Sequence, residues 1–397
     1  MEAIAITLLD VVSVRDGRAF DAGGATLARA LWPLPQWTVA GAIRALFVRA
    51  LGLDPSVYGG LGFANSAPER YKPVIKMLGD PQREPNFSIG PCLLRKQQNE
   101  FLFPTPADLF LDGGAQFCRF RLEPRKEVLK DAILSGFDYE YCALPPPGRR
   151  PSKPGSDYEY CALPPPGRRP SKHEPPGFIS SEQSETWLKG GTPTFSGPHN
   201  FFVQERRIGI CIDSAKGTVK EGMFYVRKGV ALEDGYDLVV PILEEKGAGD
   251  AIKKLSGQEM VGELGGDRHL ARFTLVKDFS FPKCFALDYK AVLWFLSPVQ
   301  RKDVSPENLS KVANDNVRVL AVVGHRPVRI GGWKMARVNG QSFPRPMRLY
   351  YPWGTCVYIK VEELEALSRL HGASVATDSE ERASGFGVCL VGDFPKG

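Results

Sequence analysis

Apolar and polar positions alternate over residues 3–14, where Ile4, Ile6, Leu8 and Val12 mark a first strand. The period then changes. Over 38–53, Val39, Ile43, Leu46, Phe47 and Leu51 recur at helical spacing, with Thr38 as a candidate N-cap. Apolar runs at 87–94 and 101–103 flank the polar stretch Arg95-Lys96-Gln97-Gln98-Asn99-Glu100 and predict a hairpin. Further strands are expected at 206–213, 222–227, 236–242 and 271–276, with a short helix over 248–260. A second set predicts strands at 291–296, 317–323, 330–335 and 354–359, a proline-rich turn before the last of these, and helices over 306–314 and 362–371. The chain closes on Gly385-Phe386-Gly387-Val388-Cys389-Leu390-Val391-Gly392.

Strand, helix, two strands, helix, strand, met twice with antiparallel pairing, is the split βαβ plan. The expectation is an α+β protein of two tandem ferredoxin-like domains, 1–278 and 279–397, the first carrying a proline-rich insertion at about 136–200.

Within that insertion residues 138–153 recur word for word at 157–172. Two copies are too few for a solenoid, and neither has a hydrophobic face. Each copy pairs a Pro-Pro-Pro run, which favours extended backbone, with Gly-Arg-Arg. An arginine-bearing arm that touches RNA or a neighbour is one reading; a duplicated surface loop without a role is the other.

Composition adds bounds. A chain of 397 residues with 43% apolar content can bury two cores. Its 51 Lys and Arg against 45 Asp and Glu give +6, too mild to establish nucleic-acid binding alone. The eight cysteines show no C-x-x-C pair, which predicts reduced thiols in a cytoplasmic protein. No run of apolar residues is long enough for a membrane span, so no membrane partner is expected. There is no P-loop, no dinucleotide fingerprint, no carboxylate pair with metal spacing and no triad order, so neither cofactor, metal nor nucleotide hydrolysis is expected.

The candidate chemistry is anion binding. Arg15-Asp16-Gly17-Arg18-Ala19-Phe20-Asp21-Ala22-Gly23-Gly24 lies just before the first helix. Guanidinium forks at Arg15 and Arg18 suit neighbouring phosphates, and Gly17 and Gly23 let backbone amides approach. The competing reading pairs Arg15 with Asp16 or Asp21. Phe20, Trp37 and Phe386 offer faces to unstacked bases or pack in cores. Alternation points one of Arg206 and Arg207 inward and one outward. Arg268 follows Gly265-Gly266, and Gly385 and Gly387 leave room for close backbone approach to RNA. Trp333, after Gly331-Gly332, is expected to pack the second domain on the first.

These stations in this order closely resemble one family, the RAMP subunit of type III-B (Cmr) CRISPR effector complexes that holds the five-prime handle of the guide RNA. The resemblance spans nearly the whole chain. It rests on the Arg15–Gly23 loop, Leu34-Pro35-Gln36 with Thr38-Val39-Ala40-Gly41-Ala42-Ile43-Arg44, Arg206-Arg207-Ile208-Gly209-Ile210, Glu221-Gly222-Met223-Phe224-Tyr225, Leu264-Gly265-Gly266 with Arg268, Gly331-Gly332-Trp333 and Gly385-Phe386-Gly387. It implies an RNA-holding and assembly role without catalysis, with guide RNA, a large polymerase/cyclase-like subunit and an adjacent backbone RAMP subunit as partners. The RNA-facing set is then Arg15, Arg18, Phe20, Gly23, Thr38, Arg44, Arg206, Arg207, Arg268, Gly385, Phe386 and Gly387. The second copy of the proline-rich segment, and Trp37 between Gln36 and Thr38, depart from the family pattern. The alternative is a metal-independent RAMP endoribonuclease, for which His325 or His269, each beside an arginine, would be the acid or base.

Overall fold

In the computed structural model, residues 1–14, 27–28, 31–60, 68–79, 87–96, 100–112, 116–124, 160–163, 177–195, 201–244, 249–338 and 341–395 are described. Two antiparallel sheets stand face to face. In the first, Ala3–Leu8 lies between Tyr236–Glu244 and His269–Val276, and Leu93–Lys96 pairs with the outer side of Tyr236–Glu244. Counted in chain order, these four strands run fourth, first, third, second across the sheet. Met260–Leu264 extends one edge; Glu100–Pro104 and Phe178–Ser180 extend the other. In the second sheet Lys290–Phe295, Arg318–Val323, Cys356–Lys360 and Cys389–Asp393 repeat that order.

Period-two alternation builds the layers. Ile4 and Ile6 point with Leu238 and Val240 into a core under the helix Gln36–Ala50, whereas Ala3, Ala5 and Val239 point to the other side. There they meet Val292, Trp294, Tyr358 and Leu390 of the second sheet, while Leu293, Val357 and Val391 face the helices Pro306–Ala313 and Glu365–Leu370. Helix, sheet, sheet, helix is therefore the layer order, and both sheets are apolar on both faces. The fully buried pair Trp187 and Trp294, 5.2 Å apart between ring centroids, closes the central layer.

That central layer also holds a buried charge. Asp108 accepts from Arg119 Nε at 2.7 Å, Tyr358 Oη at 2.5 Å and Trp187 Nε1 at 2.8 Å. Three donors from three elements satisfy the carboxylate, and the Arg119 guanidinium stacks 4.3 Å from the Trp187 ring.

Several expectations need correction. The first helix begins at Gln36 with Pro35 as N-cap, so Thr38 sits inside its first turn and its N–H bonds to the Pro35 carbonyl at 2.9 Å. The expected insertion is ordered at its far end. Phe178–Ser180 joins the first sheet, and Ser180 and Gln183 form a capping box that starts the helix Ser181–Leu188. The second copy of the duplication supplies Tyr160–Leu163, which pairs with Arg121–Pro124; the first copy lies outside the described residues. The proline-rich turn is instead a strand, Gln341–Tyr351, hairpinned with Val328–Val338. No helix among the described residues is long and apolar enough to cross a membrane.

Candidate nucleic-acid interface

The loop 15–24, and with it Arg15, Arg18, Phe20 and Gly23, lies outside the described residues, but both its ends are placed. Leu31 N–H bonds to the Val14 carbonyl at 2.7 Å, and Leu27–Ala28 pairs in parallel with Val226–Arg227. Val12 bridges to Val230, and the Ser13 hydroxyl donates to the Lys228 carbonyl at 2.8 Å. The segment therefore leaves and re-enters the fold beside one long hairpin, Phe202–Asp213 with Thr218–Leu232.

Three other stretches converge there. A Cβ built on Gly265 would lie 3.6 Å from Thr38 Cγ2 and 3.9 Å from Val14 Cγ2, which sets the turn 265–268 against the loop's exit and the first turn of the helix. Arg227 pairs with Asp267 at 2.8 Å. Arg207 pairs with Glu205 at 2.7 Å and with Asp10 at 3.2 Å. The Val11 N–H and the Arg207 guanidinium hold the Asp10 carboxyl below its ordinary range, so it remains a charged anchor near neutral pH.

Arg206 and Arg268 differ from these two. Both are exposed, and neither has an ion-pair partner among the described residues. Two anchored guanidinium groups and two unneutralised ones thus surround the loop's ends. The expectation that one of Arg206 and Arg207 points inward fails, because the hairpin leaves the sheet and exposes both faces.

His269 belongs to the same junction in a structural role. It is buried, and its Nε2 accepts from the Ser13 N–H at 3.2 Å. That bond fixes the backbone from which the loop departs.

The remaining nominated residues gather elsewhere. Phe386 is fully buried, 4.9 Å from the Trp37 ring and 5.2 Å from the Tyr350 ring between centroids. It packs the junction of the two halves and has no face open to a base. Gly385 has φ +82°, and a Cβ there would stand 2.2 Å from the Gly90 carbonyl oxygen. A Cβ on Gly387 would be 3.1 Å from Ala376 N. The glycines admit the protein's own backbone. Arg44, half-buried, donates to Ser384 Oγ at 3.2 Å, and burial pushes its pKa down. Arg44, Gly385 and Phe386 therefore join the two halves of the molecule, whereas Gly387 packs within the second half.

Trp333, expected between the domains, is instead 64% exposed. Sequence reasoning also passed over the apolar stripe on the long hairpin, where Ile208 and Ile212 are 69% and 60% exposed. Alternation among charged neighbours is the signal for a strand with no sheet beneath it.

The model of a family described as CRISPR-associated protein (Cas_Cmr3) matches residues 4–394. A chain in a cryo-EM structure of the Type III-B Cmr-beta bound to cognate target RNA is 17% identical, with 90% of this chain and 86% of that chain covered and a TM-score of 0.44. A chain in the crystal structure of a Csm3-Csm4 subcomplex in the type III-A CRISPR-Cas interference complex is 12% identical over 99% of both chains, with a TM-score of 0.36. No curated protein matches. Matched by the family model over nearly all its length, the chain belongs to the Cas_Cmr3 family of CRISPR-associated proteins.

Proposed function

We propose that this chain is the non-catalytic RNA-holding and assembly subunit of a type III-B CRISPR effector complex in the cytoplasm. In this reading it grips the five-prime handle of the guide RNA and bridges the large polymerase/cyclase-like subunit to the neighbouring backbone subunit. The observation that carries the proposal is the convergence of Arg206, Arg268, Thr38 and both ends of the Arg15–Gly23 loop at one hairpin base. Unpaired guanidinium groups beside a glycine-rich loop suit a single-stranded phosphate backbone. Arg15, Arg18, Phe20 and Gly23 complete the site in this proposal, and Arg207 orients it through Asp10.

The repeated strand order supports two tandem ferredoxin-like domains meeting near residue 278, with the proline-rich segment inserted in the first. The exposed isoleucine stripe supports the bridging role, since apolar surface of this kind marks contacts between proteins.

A salt titration tests the RNA site. For single strands the binding constant falls with log salt at a slope of about −0.7 per phosphate contacted. Arg206→Ala with Arg268→Ala should weaken binding of handle RNA and make that slope shallower by about 1.4. An unchanged affinity and slope would remove these residues from the site. Incubation with repeat RNA should leave the RNA intact; a discrete product lost on His269→Ala or His325→Ala would overturn the non-catalytic assignment.

A further inference from the structure

Between Asp315 and Glu362 the sequence has no acidic residue and eight Lys and Arg. The middle of this stretch is the hairpin Val328–Val338 with Gln341–Tyr351. Two of its cations are already neutralised. Arg345 pairs with Glu380 at 2.6 Å and stacks 3.8 Å from the Trp37 ring, and Arg348 pairs with Glu381 at 2.6 Å and Asp378 at 3.1 Å. Arg326 and Arg329 are exposed, with no ion-pair partner among the described residues.

Beside them stands Trp333. The hairpin register shifts between Ile330 and Gly332, where Gly331 stands opposite both Pro346 and Met347, and Gly332 takes φ +152°. That backbone is open to glycine and strained for other residues, and such a shift re-aims the neighbouring side chain. Trp333 comes next and stands out in solvent, with no ring or cation stacked on it among the described residues. Met347 and Leu349 are 47% and 42% exposed on the opposite strand.

We propose that Trp333, with Arg326 and Arg329, forms a second site for single-stranded RNA, separate from the site at the loop 15–24. The ring supplies a stacking face that any base can use, and the two guanidinium groups, both preceding it along the chain, hold the phosphates of the nucleotides next to the stacked base. Arg329 and Trp333 are four residues apart, at most about 13 Å along an extended strand, a span of a few nucleotides. An apolar protein surface would leave the unpaired Arg326 and Arg329 unanswered, whereas a polyphosphate backbone neutralises them.

The test uses the full-length chain and a fluorescein-labelled uridine dodecamer, which carries no handle sequence, read by anisotropy over a salt series. Trp333→Ala should raise the dissociation constant about 5- to 150-fold, and Trp333→Phe should retain most of the affinity. Arg326→Ala with Arg329→Ala should make the salt slope shallower by about 1.4. The Arg206→Ala, Arg268→Ala protein should still bind the dodecamer, so the two sites fail independently. Unchanged dodecamer binding in the Trp333 and Arg326/Arg329 variants would overturn the proposal. A Trp333→Ala protein that binds RNA normally but no longer assembles with partner subunits would overturn it in favour of protein docking.

Discussion

Gln36 Nε2 donates to the Gly385 carbonyl at 2.9 Å, joining residues 349 apart in sequence. The two motifs that this bond connects, Leu34-Pro35-Gln36 and Gly385-Phe386-Gly387, belong to opposite halves of the molecule. Their meeting sets the helix start, and hence Thr38, relative to the second sheet. Gln36→Ala should cost about 1 to 2 kcal/mol, because it removes a buried hydrogen bond and leaves the Gly385 carbonyl without that donor. Gly385→Ala should cost about 3 kcal/mol or more, since a Cβ there would overlap the Gly90 carbonyl oxygen and the backbone is left-handed. Thermal unfolding of the two proteins checks the order.

The buried Asp108 carboxylate ties the hairpin 109–119, the helix Ser181–Leu188 and the strand Cys356–Lys360 together. Asp108→Ala leaves the Arg119 guanidinium buried without its counter-charge and should destabilise the protein by about 3 to 5 kcal/mol. Tyr358→Phe keeps the ion pair and should cost about 1 kcal/mol. Urea unfolding midpoints distinguish these outcomes.

His371 gives stability a pH dependence of known sign. Burial pushes its pKa below the ordinary 6.5, although its contact with the Pro282 carbonyl opposes that shift. Nδ1 accepts from the Val391 N–H at 3.1 Å and Nε2 donates to the Pro282 carbonyl at 2.8 Å, which fixes a neutral ring. The unfolded chain binds a proton first as pH falls. Stability is therefore full above 6.5 and declines as pH falls through the lowered folded value. His371→Asn should flatten the slope over that window, measured as unfolding free energy against pH.

Cys211 is exposed on the long hairpin, whereas burial pushes the Cys92 and Cys389 thiols up to about 12. A maleimide should label Cys211 and spare Cys92 and Cys389 in the isolated chain, read by peptide mass spectrometry. Assembly with the large subunit should protect Cys211. Equal labelling before and after assembly would separate this hairpin from the subunit interface.

The sequence revealed elements where burial on both faces or strict alternation left one solution. Lys290–Phe295 and His269–Val276 are examples. Gln341–Tyr351 was hidden by Pro344 and Pro346. A strand tolerates them here because that stretch pairs on one side with Trp333 and its neighbours, and Val299–Gln300 pairs only with the far end. The site was legible in part for a similar reason. A glycine announces that something comes close, but not its identity: at Gly385 it is the Gly90 carbonyl, and at Gly265 it is Thr38 and Val14. For Trp333 the ordinary preference of a large aromatic for a core pointed the wrong way, since a register shift at Gly332 decides its direction.

If this chain holds the leading nucleotides of the guide RNA at the base of its long hairpin, those nucleotides must lie within bonding distance of it in the working assembly. Photocrosslinking of an assembled effector complex, with 4-thiouridine placed through the handle and adducts located by mass spectrometry, reads that proximity. Adducts are expected in peptides containing Arg206 and Arg207, the turn 265–268 and the loop 15–24. Adducts confined to other subunits, with none on this chain, would contradict the proposed role.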